Sequence, residues 1–270
     1  MTLILTVATD RKVIQASDRI VTLPNGTVCN NKANKAVAVT CLGSRFSISF
    51  TGAAYIAGKS TDEWIGDYLT NINAATLSIK SICDTLVEQL SKSHQHFSVP
   101  CLSLILCGYV GELPFMALIS NFEHWKTNKV VPPQSDFHVE VMRLRKGFNP
   151  KRALGLCIHG YEKAITESIK HKLRGLRKKR FFQNNDSNTV ALRLVEVIRE
   201  ASRTSGHGKY IGRDCLTIAI SRNLSDDVEI IYHPEKESPI MYGPYIIHPT
   251  GSIKGIEIEG DNEVKFFPND

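Results

Sequence analysis

Along the first sixty residues, short apolar runs alternate with polar turns and no helical period appears. Leu3 to Ala8 forms one run, Thr9-Asp10-Arg11-Lys12 is a polar turn, and Val13 to Ala16 is a second run closing on Ser17-Asp18-Arg19. Two such runs joined by a short turn predict a β-hairpin, which places the start of the first strand beside the end of the second. Thr2 and Asp18 are thereby expected at one end of a sheet. Leu23-Pro24-Asn25-Gly26 reads as a tight turn, and the polar stretch Asn30 to Lys35 leads into a strand at Ala36 to Val39. Phe46 to Phe50 is a further strand that stops at Thr51-Gly52-Ala53-Ala54. Four strands without an intervening helix imply antiparallel pairing.

The period then changes. Ser60-Thr61-Asp62-Glu63 has the spacing of a capping box and predicts a helix carrying Trp64, Ile65, Tyr68 and Leu69. A second helix is expected from about Ala75 to Lys92, with Leu77, Ile79, Ile82, Leu86 and Leu90 near helical spacing. Strands return at Cys101 to Gly108, Pro114 to Ser120 and His138 to Leu144. Continuous runs such as Leu-Ser-Leu-Ile-Leu suit strands covered on both faces. Helices are expected from Tyr161 to about Leu173 and from Asn188 to about Ser202, the latter capped by Asp186 or Ser187. Strands follow at Cys215 to Ser221 and Val228 to Tyr232. Strands, two helices, strands, two helices and strands give an α+β chain. Two antiparallel sheets packed face to face, each flanked by a helix pair, form a four-layer αββα sandwich that buries every apolar face.

Composition adjusts this picture little. The 270 residues are 42% hydrophobic, contain no linker-like gap and read as a single domain over 1–270. Seven cysteines, with no CxxC pair and most inside apolar runs, suit reduced thiols in a cytoplasmic protein better than disulfides or a zinc site. No export signal and no membrane-spanning run is read. The net charge of +6 is uneven: Lys170 to Arg180 places seven Lys or Arg in eleven residues, within a basic insert over 170–186. Such a run suits nucleic acid or an acidic partner, but is more often a solvated helix face or mobile insert. A Gly- and Pro-punctuated extension occupies 235–270.

The candidate chemistry lies at the N-terminus. A Thr hydroxyl needs a base within hydrogen-bond reach. If Met1 is removed, Thr2 carries its own base, because a free α-amine has a reference pKa of about 7.7 to 8.0. The N-terminal Thr, the hairpin ending in Ser-Asp-Arg, Lys35 before the third strand and a strand ending in Thr-Gly-Ala-Ala together resemble a proteasome β-subunit. More broadly, they resemble the N-terminal-nucleophile hydrolases and their bacterial proteasome-like branch, as does Asp214-Cys-Leu-Thr-Ile-Ala-Ile as a late core strand. The resemblance implies a threonine-type peptidase that acts on a peptide or protein substrate, needs no cofactor or metal and self-assembles as a homo-oligomer. It assigns Thr2 as nucleophile, Lys35 as the charge beside it, Asp18 as the anchor of Lys35 and the Gly52 amide as oxyanion donor. Lys32 competes with Lys35, because the loop length is open. Val21, Phe50 and Ala54 would line an apolar to neutral substrate pocket.

The second half fits the resemblance less closely. His159, in Cys157-Ile158-His159-Gly160, stands where relatives carry a Ser at a helix start, while Glu200 and Ser205 map onto an acidic residue and a Ser-Gly after the last long helix. Two other readings stay open beside the hydrolase. One is a non-catalytic, proteasome-like structural subunit; the other is a nucleic-acid-binding protein acting through Lys170 to Arg180.

Overall fold

The computed structural model describes residues 2–8, 11–22, 26–30, 33–94, 100–127, 129–143, 155–160, 162–176, 186–204, 206, 209–223, 226–235, 240–242, 246–248, 251–253, 256–259 and 263–266. Among them, the chain is α+β, with four α-helices and several sheets that are antiparallel at all but one pairing. The opening hairpin forms as predicted: β1 (Leu3–Ala8) and β2 (Lys12–Asp18) pair with Ile4 opposite Ser17. After a short antiparallel pair, Val21–Thr22 with Val28–Asn30, come β3 (Ala36–Cys41) and β4 (Ser44–Gly52), the latter ending on the Gly where the sequence pattern breaks.

Beyond these come β5 (Leu102–Val110), β6 (Leu113–Ser120), β7 (His138–Arg143), β8 (Gly155–Gly160), β9 (Cys215–Ser221), β10 (Glu229–His233), β11 (Ile246–His248) and β12 (Gly251–Ile253). One sheet has the order β8-β1-β2-β9-β10, and a larger one the order β7-β6-β5-β4-β3-β11-β12. Two features depart from expectation. The segment read as the approach to a helix is strand β8, which lies beside β1 with His159 opposite Ile4. The C-terminal extension contributes β11, which joins the larger sheet parallel to β3.

The continuous apolar runs follow from burial on both faces. In β1, Leu3, Leu5 and Val7 pack with α3 (Glu167–Leu176) and α4 (Ser187–Arg203), joined by Ala16 of β2 and Cys215 and Ala219 of β9. The alternate residues face the other way. Ala8, Val13, Leu216, Ile218 and Ile220 of the smaller sheet cluster with Cys107, Tyr109 and Met116 of the larger one. On the larger sheet's other face, Phe46, Ile48, Phe50, Leu102, Leu104 and Leu106 pack with Ile65 and Leu69 of α1 (Thr61–Asn71) and Ile82, Leu86 and Leu90 of α2 (Ile79–Ser93). A polar knot sits among the inward-facing residues: Gln15 Oε1 accepts from Ser47 and Ser49, and Gln15 Nε2 donates to Thr6. Each buried polar atom there has a partner, which avoids a desolvation cost of about 1–3 kcal/mol per orphan.

Helix starts follow their caps. Asp186 accepts from Thr189 N at 2.7 Å and so opens α4. α2 begins later than its apolar spacing suggests, because Ser78 caps it by accepting from Ser81 N, and a 3₁₀ turn over Ala74–Thr76 precedes it. Ser60 stands at the N-cap of α1 without a side-chain cap bond. No described helix is long and apolar enough to cross a membrane.

Candidate functional site

Antiparallel pairing in the opening hairpin is what brings Asp18, at the end of β2, to the start of β1. Its carboxylate is fully buried, and Oδ1 accepts from the Leu3 amide at 2.9 Å. That amide belongs to the peptide linking Thr2 to Leu3, so Asp18 anchors the chain directly after the candidate nucleophile. The other oxygen, Oδ2, accepts from Lys35 Nζ at 3.0 Å, from Ile20 N at 3.1 Å and from Gly212 N at 3.0 Å. Lys35 also donates to the Ile20 carbonyl. Between the two candidate lysines the tertiary structure brings Lys35 to Asp18; Lys32 lies outside the described residues.

Burial pushes the Lys35 ammonium below the ordinary lysine range, and the Asp18 carboxylate opposes that shift. A buried amine with one carboxylate partner and one carbonyl partner is a fixed cation with little competing hydration. Such a charge acts at short range with little screening.

Arg19 is the residue that the sequence displayed but left without a role. It is 1% exposed, its Nε donates to the Ala33 carbonyl at 3.2 Å, and its Nη2 donates to Asn34 Oδ1 at 3.1 Å. The guanidinium lies over the Tyr232 ring, 4.7 Å from its centre. It therefore holds the two residues preceding Lys35, and so sets where the ammonium emerges. Its signal was present in the Ser-Asp-Arg ending of the hairpin.

Two glycines fix the backbone around Thr2. Gly160, at the end of β8, has φ +90°, and a Cβ there would lie 1.9 Å from the Thr2 carbonyl oxygen and 3.0 Å from Thr51 Oγ1. The close approach of β8 to Thr2 thus requires Gly at 160, and it also brings Thr51, the neighbour of Gly52, to the same place. Gly52 is exposed with φ +101°, and a Cβ there would meet the Cys101 carbonyl at 2.0 Å. Access to substrate is the role the sequence suggests for this Gly; the close contact in the structure is with the neighbouring strand. The following Ala53 N donates to that same carbonyl at 2.8 Å, and Thr61 N donates to Ala54 O at 2.9 Å.

Thr2 itself is 4% exposed. Of the expected pocket residues, Val21 and Ala54 are half-buried, while Phe50 is 3% exposed and belongs to the core against α1 and α2. His159 is not at a helix start but inside β8, stacked on Trp125 with ring centres 4.9 Å apart. Its Nε2 is buried without a hydrogen-bond partner, and burial lowers its pKa to about 4, so it is a neutral imidazole. Glu200 lies on α4 and pairs with Lys172 at 2.5 Å; Ser205 lies outside the described residues. The basic run is largely neutralised where it is described. Besides the Lys172 pair, Lys170 meets Glu167 at 2.7 Å and Arg174 lies 3.9 Å from Glu167, all on an exposed helix surface.

No model of a known protein family and no curated protein matches the sequence. Solved structures do. A Gly-1 mutant of Anbu from Hyphomicrobium sp. strain MC1 has a TM-score of 0.55 at 12% identity, covering 88% of this chain and 89% of that one. Anbu from Yersinia bercovieri, described as an ancestral beta-subunit, has a TM-score of 0.56 at 11% identity, covering 87% and 88%. These findings overturn the assignment of the chain to the proteasome β-subunits and their bacterial branch. The neighbours are Anbu proteins, at identities that carry the fold alone, so what the chain shares with them is the fold.

Proposed function

We propose that this chain is a threonine-type amide-bond hydrolase, with Thr2 as nucleophile once Met1 is removed. The observation that carries the reading is the Asp18 carboxylate, which holds the Leu3 amide with one oxygen and the Lys35 ammonium with the other. One buried group thereby ties the candidate nucleophile and a fixed positive charge to a common frame. In this reading the α-amine of Thr2 accepts the proton of its own hydroxyl, and Oγ1 attacks the substrate carbonyl. Lys35 favours the neutral amine by its charge, and the Gly52 N–H stabilises the oxyanion. The amine then returns the proton to the leaving nitrogen, and a water hydrolyses the ester to release the acid and regenerate Thr2.

The fold likeness and the three apolar clusters support arranging the layers as an αββα sandwich, with Thr2 at the end of the inter-sheet space. The beta-subunit description of one neighbour supports a homo-oligomer. None of the seven cysteines is in a disulfide, which supports a reducing, cytoplasmic setting, and a peptide or protein is the substrate of this reading.

The test is an intact-mass measurement on protein from its native host, combined with a comparison of parent and Thr2→Ala on a panel of short peptide amides. Loss of Met1, hydrolysis by the parent and none by the variant are expected. Retention of Met1 on every molecule, or equal rates for the two proteins, overturns the hydrolase reading and leaves a non-catalytic subunit.

A further inference from the structure

His124 lies on a two-residue strand, Glu123–His124, and His138 and Glu140 lie on β7, the edge strand of the larger sheet. Residues two apart on a strand share a face, so His138 and Glu140 project together. His124 meets them on the same face. The two imidazoles stack with centres 4.1 Å apart and planes 8° apart. His124 Nδ1 lies 3.4 Å from Glu140 Oε1, His138 Nε2 lies 3.8 Å from it, and the three ligand atoms fall within 4.8 Å of one another.

These spacings are what make the group informative. Charge-assisted N–H to carboxylate bonds are about 2.7–2.9 Å long, so both imidazoles stand too far from Glu140 for that interaction. Ligands around a tetrahedral ion at bond lengths of about 2.0–2.2 Å sit roughly 3.3–3.6 Å apart, so the 3.4 Å spacing already fits and the wider ones, up to 4.8 Å, contract on binding. Glu140 is 7% exposed, and its other oxygen accepts from the Lys126 amide at 2.8 Å, leaving Oε1 directed at the two rings. Such a backbone bond is the outer support that orients a ligating carboxylate. The supporting segment is fixed as well: Glu123 accepts from Ser103 Oγ at 2.9 Å, and Ser103 and Ser120 share a hydroxyl bond at 2.8 Å.

We propose that His124, His138 and Glu140 form a binding site for one divalent transition-metal ion of the Zn²⁺ class. Two imidazoles and one carboxylate suit Zn²⁺, Co²⁺ or Ni²⁺, whereas Mg²⁺ and Ca²⁺ favour oxygen ligands. The histidine side chains are 37% and 30% exposed, so an ion has an entry path and water completes its coordination. Binding exchanges the 2.9 Å bond between His138 Nε2 and the Glu123 carbonyl for a metal bond, and the rings, now nearly parallel, turn out of their stack so that their nitrogen lone pairs converge on the ion. The bound ion clips the segment from Glu123 to Lys126 to the edge of the sheet. That segment carries Trp125, which stacks on His159 in the strand packed against Thr2. The site stands independently of the hydrolase reading, because its test reads metal and not hydrolysis.

The experiment is titration of the full chain, stripped with EDTA and desalted, with Zn²⁺ against a chromophoric chelator, and with Co²⁺ followed by its visible absorption. One ion per chain is expected, with no competition from Mg²⁺. His124→Ala, His138→Ala and Glu140→Gln each weaken binding by about tenfold or more. A Cys29→Ser/Cys101→Ser double variant, which removes the two exposed thiols, keeps full affinity. Absence of stoichiometric binding, or affinity unchanged in both histidine variants, overturns the proposal. If Glu140→Gln fails to fold, as far-ultraviolet circular dichroism would reveal, the two half-exposed histidines decide it alone.

Discussion

The Lys35 ammonium lies 3.0 Å from Asp18 Oδ2, and the two side chains are 1% and 0% exposed. A pair closed off this completely is worth little as net stability, yet it is costly to break, because removing one partner leaves the other charged and unpaired in the interior. Asp18→Asn keeps an acceptor for the Leu3 amide but removes the charge that Lys35 faces. We expect it to lower stability by about 3–5 kcal/mol in urea unfolding and to abolish hydrolysis. Lys35→Met in the Asp18→Asn background recovers part of the stability and none of the activity. Wild-type activity in that double variant would show that the pair has no part in the chemistry.

Arg19 positions Lys35 through Ala33 and Asn34, so its geometry matters more than its charge. Lys cannot reproduce two donors in a rigid fork. Arg19→Lys is expected to cost about 1.5–3 kcal/mol of stability and to lower kcat more than it raises KM. An unchanged kcat in a folded Arg19→Lys protein would count against the positioning role.

Gly160 leaves no room for a side chain beside the Thr2 carbonyl. Gly160→Ala meets both a contact of 1.9 Å and a positive φ, the latter alone costing about 1–3 kcal/mol. We expect a lower melting temperature and a displaced Thr2, read as loss of labelling by an electrophile that reacts with both hydroxyl and amine. Gly111→Ala, at a φ of +54° with nothing within 4 Å, shares the backbone penalty without the contact and leaves labelling intact.

Acid should destabilise the fold through its buried imidazoles. Burial holds His159 and His233 at about 4, against a usual value near 6.5. The unfolded chain therefore takes up protons first as pH falls, and stability present above pH 6.5 is lost progressively down to about pH 4. For His159, 6% exposed, the loss approaches about 3 kcal/mol. His159→Leu should flatten the fall in urea midpoint between pH 6.5 and 4; an unchanged slope would show that His159 does not titrate in this range.

The sequence by itself determined the opening hairpin, most of the strand and helix order and the approach of Asp18 to the chain just after Thr2. Period-two runs, a polar turn and caps such as Asp186 are local signals, and local geometry obeys them. Strand β8 escaped that reading because Leu156 to Gly160 is too short and too glycine-flanked to declare its period; only pairing with β1 makes it a strand. The choice of Lys35 over Lys32 depended on where the loop held by Arg19 ends, which is a matter of distance in space. The same holds for His124, His138 and Glu140. Thirteen residues separate the histidines, and no spacing rule joins them until the sheet edge folds them onto one face. Residue types and local periods wrote the elements into the chain. Which buried groups face one another was decided by packing, because desolvated charges and backbone contacts act only over the few ångströms that the tertiary structure sets.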